Sequence, residues 1–256
     1  MHNLTTSRQS QVTLTEAGHS TTVDLYSRAG LEFLSNLWIK AAAEFRLMYE
    51  PTWLGRPIIQ FPTDIVAIQE LLWQIQPEVV VETGVAHGGS LLLSASILEL
   101  LGRGRVIGVD LDIRPPNRAA LAAHPLWPRL RLIEGSSTDP TVIDSARSTI
   151  RPDEVVLVIL DSNHSKAHVL AELDAYSALV TLGSYIVATD GIMKDVFDVP
   201  RGNAEWAWDH PTSAASAFAR KRPDFVVEQP QWPFNESQLT TNVTHWPGAW
   251  LRRISV

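Results

Sequence analysis

Two acidic residues stand where strongly apolar stretches of chain run out. Residues 155–160, Val-Val-Leu-Val-Ile-Leu, are followed at once by Asp161-Ser162-Asn163-His164, and the run 185–189 ends in Asp190. Carboxylates at the ends of neighbouring buried strands face one crevice. Uncompensated, they repel and one of them holds a proton. A divalent cation removes the conflict, and oxygen ligands with open positions suit Mg²⁺, Mn²⁺ or Ca²⁺. His164 is close enough to Asp161 to reach a substrate hydroxyl held at such a cation, and a neutral imidazole accepts a proton near pH 7. His168, one helical turn further on, either orients His164 or lies on a helix surface. A plainer explanation of the two acids is that each caps the helix after it.

A second set surrounds glycines. Glu82-Thr83-Gly84-Val85-Ala86-His87-Gly88-Gly89-Ser90 joins an apolar run to an apolar helical pattern. Glycine lets a ligand approach the backbone because no Cβ intervenes. The spacing is not G-x-G-x-x-G, so a pyrophosphate on the helix N-terminus is not indicated. A carboxylate ahead of the glycines suits a cofactor with a cationic or amino end, and S-adenosylmethionine has both a sulfonium and an ammonium group. The candidate cofactor contacts are Glu82, Thr83, Gly84, His87, Gly89 and Ser90, with Asp161 across the crevice; a simple glycine turn is the alternative. Asp110 closes the next apolar run, with Asp112 in reserve, and can accept from both hydroxyls of a ribose. Ser136 and Ser137, in a polar turn, could seat an adenine edge or merely cap a helix.

These groups need strands to position them. The pattern predicts strands at 79–82, 106–110, 130–134, 155–161 and 185–190, with helices at 90–100, 118–123, 140–148 and 167–179 between them. Short apolar strands alternating with helices predict an α/β fold: a mostly parallel sheet with helices on both faces. Such sheets bind ligands at the carboxyl ends of their strands, where the candidate residues stand. Upstream, Leu31, Leu34, Leu37, Trp38, Ala41, Ala42, Phe45 and Met48 recur at three and four residues, one stripe of a helix from Ser27 to about Met48. A second helix covers 65–75. Downstream, 193–210 reads as a long loop whose Phe197, Trp206 and Trp208 either cover an acceptor as a lid or fill a subunit contact. Lys194, Arg201 and Arg220 are candidates to meet a diphosphate. A helix at 211–220 and an antiparallel strand pair at 225–228 and 250–254 complete a single domain over 25–256. Residues 1–24 read as a polar, mobile arm.

The 256 residues carry 21 basic and 28 acidic side chains, a net charge of −7. That balance argues against binding nucleic-acid phosphates. Without cysteine there are no disulfides, zinc–thiolate sites, iron–sulfur clusters or cysteine nucleophiles. No run approaches the ~20 apolar residues that cross a bilayer, and the N-terminus lacks the apolar segment of a signal peptide. The expectation is a cytoplasmic protein without membrane or nucleic-acid partners. The apolar N-terminal helix and polar arm suggest a homo-oligomer.

With these residues placed, the chain resembles the cephalosporin hydroxylase family, which includes metal-dependent, S-adenosylmethionine-dependent O-methyltransferases. The matching stretches are Trp53-Leu54-Gly55 with Gln60-Phe61-Pro62-Thr63-Asp64, then VVETGVAHGGS, GVDLDIR, LDSNHSKAHVLAELDAYSALVTLGSYIVATDG and TTNVTHWPGAWLRR, within about residues 25–254. It is most similar to the rhamnosyl O-methyltransferases of antibiotic pathways. The resemblance implies a Rossmann-like methyltransferase fold, with S-adenosylmethionine at 82–90 and Asp110. It also implies a divalent cation, Mg²⁺ first, at Asp161 and Asp190, a role for His164, and a rhamnose-type deoxysugar acceptor, TDP-linked. At one point the chain departs: related enzymes commonly carry a second acid or an Asn beside the fifth-strand Asp, whereas Thr189 and Gly191 flank Asp190. That leaves the third ligand to water, the Thr189 hydroxyl, Asp195 or Asp198.

Three other readings compete. A non-haem iron oxygenase needs two histidines and a carboxylate, often with H-x-[DE] as the core; none of the eight histidines is followed two residues later by an acid. A non-catalytic nucleotide- or sugar-binding protein needs the glycine turn but not Asp161, His164 and Asp190 together. A nicotinamide reductase lacks its G-x-G-x-x-G.

Overall fold

The computed structural model describes residues 10–16, 18–230, 232–234, 236 and 243–255. A hairpin of β1 (Gln11–Glu16) and β2 (His19–Asp24) leads to α1 (Arg28–Glu44), and β3 (Thr52–Trp53) and β4 (Arg56–Pro57) bracket a tight turn before α2 (Pro62–Ile75). The alternating part follows: β5 (Val79–Thr83), α3 (Gly89–Leu100), β6 (Arg105–Asp110), α4 (Pro115–Ala122), β7 (Leu130–Glu134), α5 (Pro140–Arg147), β8 (Val156–Leu160), α6 (Lys166–Tyr176) and β9 (Tyr185–Ala188). The chain ends with α7 (Pro211–Lys221), β10 (Phe225–Val227) and β11 (Trp250–Arg253).

One seven-stranded sheet has the order β10-β11-β9-β8-β5-β6-β7, in which β5 to β9 run parallel, β11 pairs antiparallel with β9, and β10 pairs antiparallel with β11. The α/β fold and the closing antiparallel pair are as expected. From β5 the chain steps outward to β6 and β7, then returns to lay β8 on the other side. The order therefore reverses between β5 and β8, and a crevice opens at their carboxyl ends. Successive side chains of a strand point to opposite faces. Val80, Leu157 and Ile159 pack with Ile68, Leu72 and Leu91 from α2 and α3, while Val79, Val81, Val158 and Leu160 pack with Leu173, Ala214 and Phe218 from α6 and α7. Covered on both faces, these strands need no polar alternation, which explains their unbroken apolar runs.

In the segment read as an arm, β1 and β2 form a hairpin, with cross-strand hydroxyl pairs Thr13–Thr22 and Thr15–Ser20 and a positive φ at Gly18 (83°); residues 1–9 and 17 lie outside those described. Helix α1 stops at Glu44 instead of continuing to Met48, because Arg46 adopts a left-handed conformation (φ 54°). Its expected buried stripe also divides. Ile39 and Ala42 are buried, but Leu31, Trp38 and Phe45, seven residues apart, are 41, 47 and 83% exposed. No helix among the described residues is long and apolar enough to cross a membrane.

At the amino end of the parallel strands, Arg105 grips Glu154 in a two-pronged pair of 2.6 and 2.8 Å, and the Arg151 N–H donates to the same carboxylate. The Arg105 hydrogen bonds hold Glu154 down at about 2, against an ordinary 4.5. Glu154→Gln is expected to lower the unfolding free energy by about 2 kcal/mol, measured in urea, because it leaves a partly buried guanidinium without its counter-charge. Since the folded-state value is the lower one, this contribution is complete above about pH 4.5 and is lost as pH falls towards 2. The gap between wild type and variant should close over that interval.

Candidate active site

The crevice gathers the strand-end acids. Asp161 follows β8. Asp190 follows β9 in a left-handed conformation (φ 55°, ψ 25°), a backbone state that Asp tolerates better than most side chains. His164 comes from the turn into α6. Asp161, His164 and Asp190 each offer one ligating atom, all within 4.8 Å of one another, and His164 Nε2 stands 3.4 Å from Asp190 Oδ2. Burial, then the charge of Asp190, pushes the Asp161 carboxyl well above the ordinary carboxylate range, against a smaller opposite pull from His164. Such a cluster calls for positive charge, and two carboxylates with an imidazole fit a divalent cation. Two acids and one histidine invert the two-histidine, one-carboxylate set of an iron oxygenase.

The open question of a third ligand is narrowed. The Thr189 hydroxyl is hydrogen-bonded to the Leu160 carbonyl and Asp161 Oδ1, which keeps its oxygen beside the cluster. Asp195 pairs with Lys194 at 2.7 Å and Asp198 with Lys40 at 2.6 Å, so neither belongs to the cluster. The residue brought within ligand distance is His164, which the sequence suggested only as a proton acceptor.

Two cavities meet at this cluster. One is floored by the turn 84–90 and walled by Gln60, Asp161 and Ser162; the other is lined by Arg46, Met48, Ile192, Arg201, Trp206 and His245. His164, Asp190, Tyr49 and Ile59 line both. Gly84 (φ 90°) makes the first cavity's floor possible, since a Cβ there would stand 2.0 Å from the Asp161 carbonyl oxygen. The Asp161 N–H in turn donates to the Thr83 carbonyl at 2.9 Å, which ties the turn to the acidic cluster.

The expected cofactor contacts separate into two groups. Gly84, His87, Gly89 and Ser90 line the first cavity. Glu82 and Thr83 are fully buried one layer behind it. The Ser90 hydroxyl donates to Glu82 Oε1, Oε2 has no partner, and burial pushes Glu82 up to about 8. Asp110 braces the turn through Oδ2, which accepts from Val85 N (2.7 Å) and Ala86 N (3.1 Å), while Oδ1 accepts from Asp112 N. Ser136 meets Thr138, and buried Ser137 meets His168 at 3.1 Å. Asp110, Asp112, Ser136 and Ser137 stand outside the lining of both cavities. His168 does not reach His164; with Glu172 it holds Ser162, and so steadies the 161–164 turn from below.

The 193–210 segment divides as well. Trp206 and Arg201 reach the second cavity, Phe197 and Lys194 line a separate one, and Trp208 is exposed. Arg220 lies on α7, away from both site cavities. Sequence reasoning passed over Arg46, Gln60 and His245. The latter two lie in stretches it quoted, FPTD with its preceding Gln and TTNVTHWPG, without giving them a task.

Comparison with known proteins bears on the family and the fold. Residues 45–254 match the family described as Rhamnosyl O-methyltransferase/CmcI. The Rhamnosyl O-methyltransferase of Mycobacterium leprae (strain TN) is 31% identical over 175 residues, 67% of this chain and 72% of that protein. That of Mycobacterium tuberculosis (strain ATCC 25618 / H37Rv) is 32% identical over 141 residues, 54% of this chain and 56% of that one, so the match spans little more than half of it. Among solved structures, CmcI without ligand aligns with a TM-score of 0.54 at 19% identity, and CmcI with Mg and SAM with 0.53 at 18%; each alignment covers 81% of this chain and 78% of the other. These two likenesses concern the fold.

Proposed function

Because the chain belongs to the rhamnosyl O-methyltransferase/CmcI family, we propose that it transfers a methyl group from S-adenosylmethionine to a hydroxyl of a rhamnose-type deoxysugar, with Mg²⁺ held by Asp161 and Asp190. The observation that carries this reading is the convergence of Asp161, His164 and Asp190 where two cavities meet. A divalent cation at the two acids would lower the pKa of an acceptor hydroxyl. The His164 imidazole, beside Asp190, takes that hydroxyl's proton. Gly84 and Gly89 let the donor-cavity turn pack against the backbone at Asp161 and Pro57, and Ser90 is set there by the buried Glu82. Met48, Ile192, Val196 and Trp206 exclude water from the acceptor side. Orientation and water exclusion matter most in a transfer that disperses charge between a sulfonium and an oxygen.

Arg46 and Arg201 support a nucleotide-linked acceptor, TDP-rhamnose in the first instance, since both line the acceptor cavity and a diphosphate bears two negative charges. The likeness to antibiotic-pathway members supports a place in natural-product biosynthesis. The exposed row of Leu31, Trp38 and Phe45 supports association of like chains. The test is mass spectrometry of TDP-rhamnose and methyl rhamnoside incubated with protein and S-adenosylmethionine. The expected result is a gain of one methyl on TDP-rhamnose, abolished by a chelator and restored by Mg²⁺. Full transfer after chelation overturns the cation's role, and no transfer to either acceptor overturns the function.

A further inference from the structure

We infer that His245 is the residue that recognises the acceptor sugar: its Nε2 bonds a hydroxyl adjacent to the one that is methylated. This rests on the function proposed above. Two stretches, 60–64 and 243–250, meet in the fold and together fix the position of this ring. Asp64, buried in the first turn of α2, accepts from the Thr244 hydroxyl and from His245 N (2.8 Å). The Thr63 hydroxyl donates to the Val243 carbonyl, Trp246 N donates to Thr244 Oγ1 (2.8 Å), and Ile192 N donates to the His245 carbonyl (3.0 Å). Phe61 stacks on the imidazole, with centroids 4.1 Å apart and planes at 25°, and Trp38 supports Phe61 edge-on.

So held, the residue is only 5% exposed, lines the acceptor cavity with Asp190, and leaves Nε2 without a hydrogen-bond partner among the described residues. Buried polar atoms in native proteins are nearly always partnered. An imidazole oriented by its backbone and a stacked ring, unsatisfied at a buried nitrogen and belonging to a residue that lines a ligand cavity, fits an incoming hydroxyl. Much of the surrounding wall is apolar (Met48, Ile192, Val196, Val199), and Arg46, Arg201, His164 and Asp190 have tasks of their own, which leaves Nε2, with the Tyr49 hydroxyl and the Trp206 N–H, to tell one sugar hydroxyl from another. Phe61 and Asp64 act through His245 and are positioning residues.

The test is calorimetric titration of TDP-rhamnose, and of its analogues lacking one hydroxyl each, into protein loaded with S-adenosylhomocysteine and Mg²⁺. His245→Ala should weaken TDP-rhamnose binding about tenfold and raise its KM, with kcat and S-adenosylhomocysteine affinity changed far less. His245→Gln, whose amide can present an N–H near the position of Nε2, should recover most of the loss. One analogue lacking a hydroxyl beside the methylated one should bind wild type about tenfold more weakly and the alanine variant no more weakly than TDP-rhamnose itself. Unchanged acceptor binding in His245→Ala overturns the inference while leaving the methyltransferase reading intact. So does a wild type indifferent to the loss of every neighbouring hydroxyl, a result that needs no variant to fold. A wild type that binds and methylates no rhamnose probe overturns the function and this inference together.

Discussion

Asp190→Asn is expected to reduce methyl transfer by about 10³-fold or more and to weaken Mg²⁺ binding by over about tenfold, with S-adenosylhomocysteine affinity nearly unchanged. Asparagine is the informative substitution because residue 190 has a positive φ, which Asn adopts readily and Ala does not. The backbone then stays in place and only the charge is lost. Without metal the variant should unfold at a temperature no lower than wild type, since Asp161 would no longer sit beside a second negative charge. Metal-dependent transfer assays and thermal scans with and without chelator read both effects. A variant that keeps more than about a tenth of wild-type turnover would remove the basis for placing the cation between these acids.

His164→Ala should lower kcat by about 10² to 10⁴-fold, the usual contribution of a positioned proton acceptor, with KM for S-adenosylmethionine nearly constant. The position of Nε2, 3.4 Å from Asp190 Oδ2, also permits direct ligation, and the assay separates the two roles. If His164 is the proton acceptor, saturating Mg²⁺ leaves the deficit in place. If it serves only as a ligand, excess Mg²⁺ restores turnover.

The sheet and the acidic cluster were legible for the same reason. Strands buried on both faces give unbroken apolar runs, and a polar residue directly after such a run must lie at the strand's end; Asp161 and Asp190 are marked in this way. What needed coordinates was depth and direction. Glu82 looked like a ligand contact because it adjoins the glycine turn, yet strand pairing on both sides of β5 puts it behind Ser90. Asp110 stands at the strand end as expected, and the coordinates add that its carboxylate accepts from backbone N–H groups of that turn. The periodicity of α1 revealed an apolar face without revealing that part of it is left uncovered. The Asp64–His245 link joins positions 181 residues apart, and no local pattern announces it.

The strand order has a consequence for how the chain is made. Strand β5 gains its neighbour β6 soon after it leaves the ribosome, but its other edge pairs with β8, whose first residue is synthesised about 70 residues later. At ~5–20 residues per second that is roughly 4–15 s during which a valine-rich edge has its backbone groups open to any passing strand. A translational pause between those two segments would prolong the hazard, so yield in a foreign host should depend on codon choice across residues 84–155 more than elsewhere.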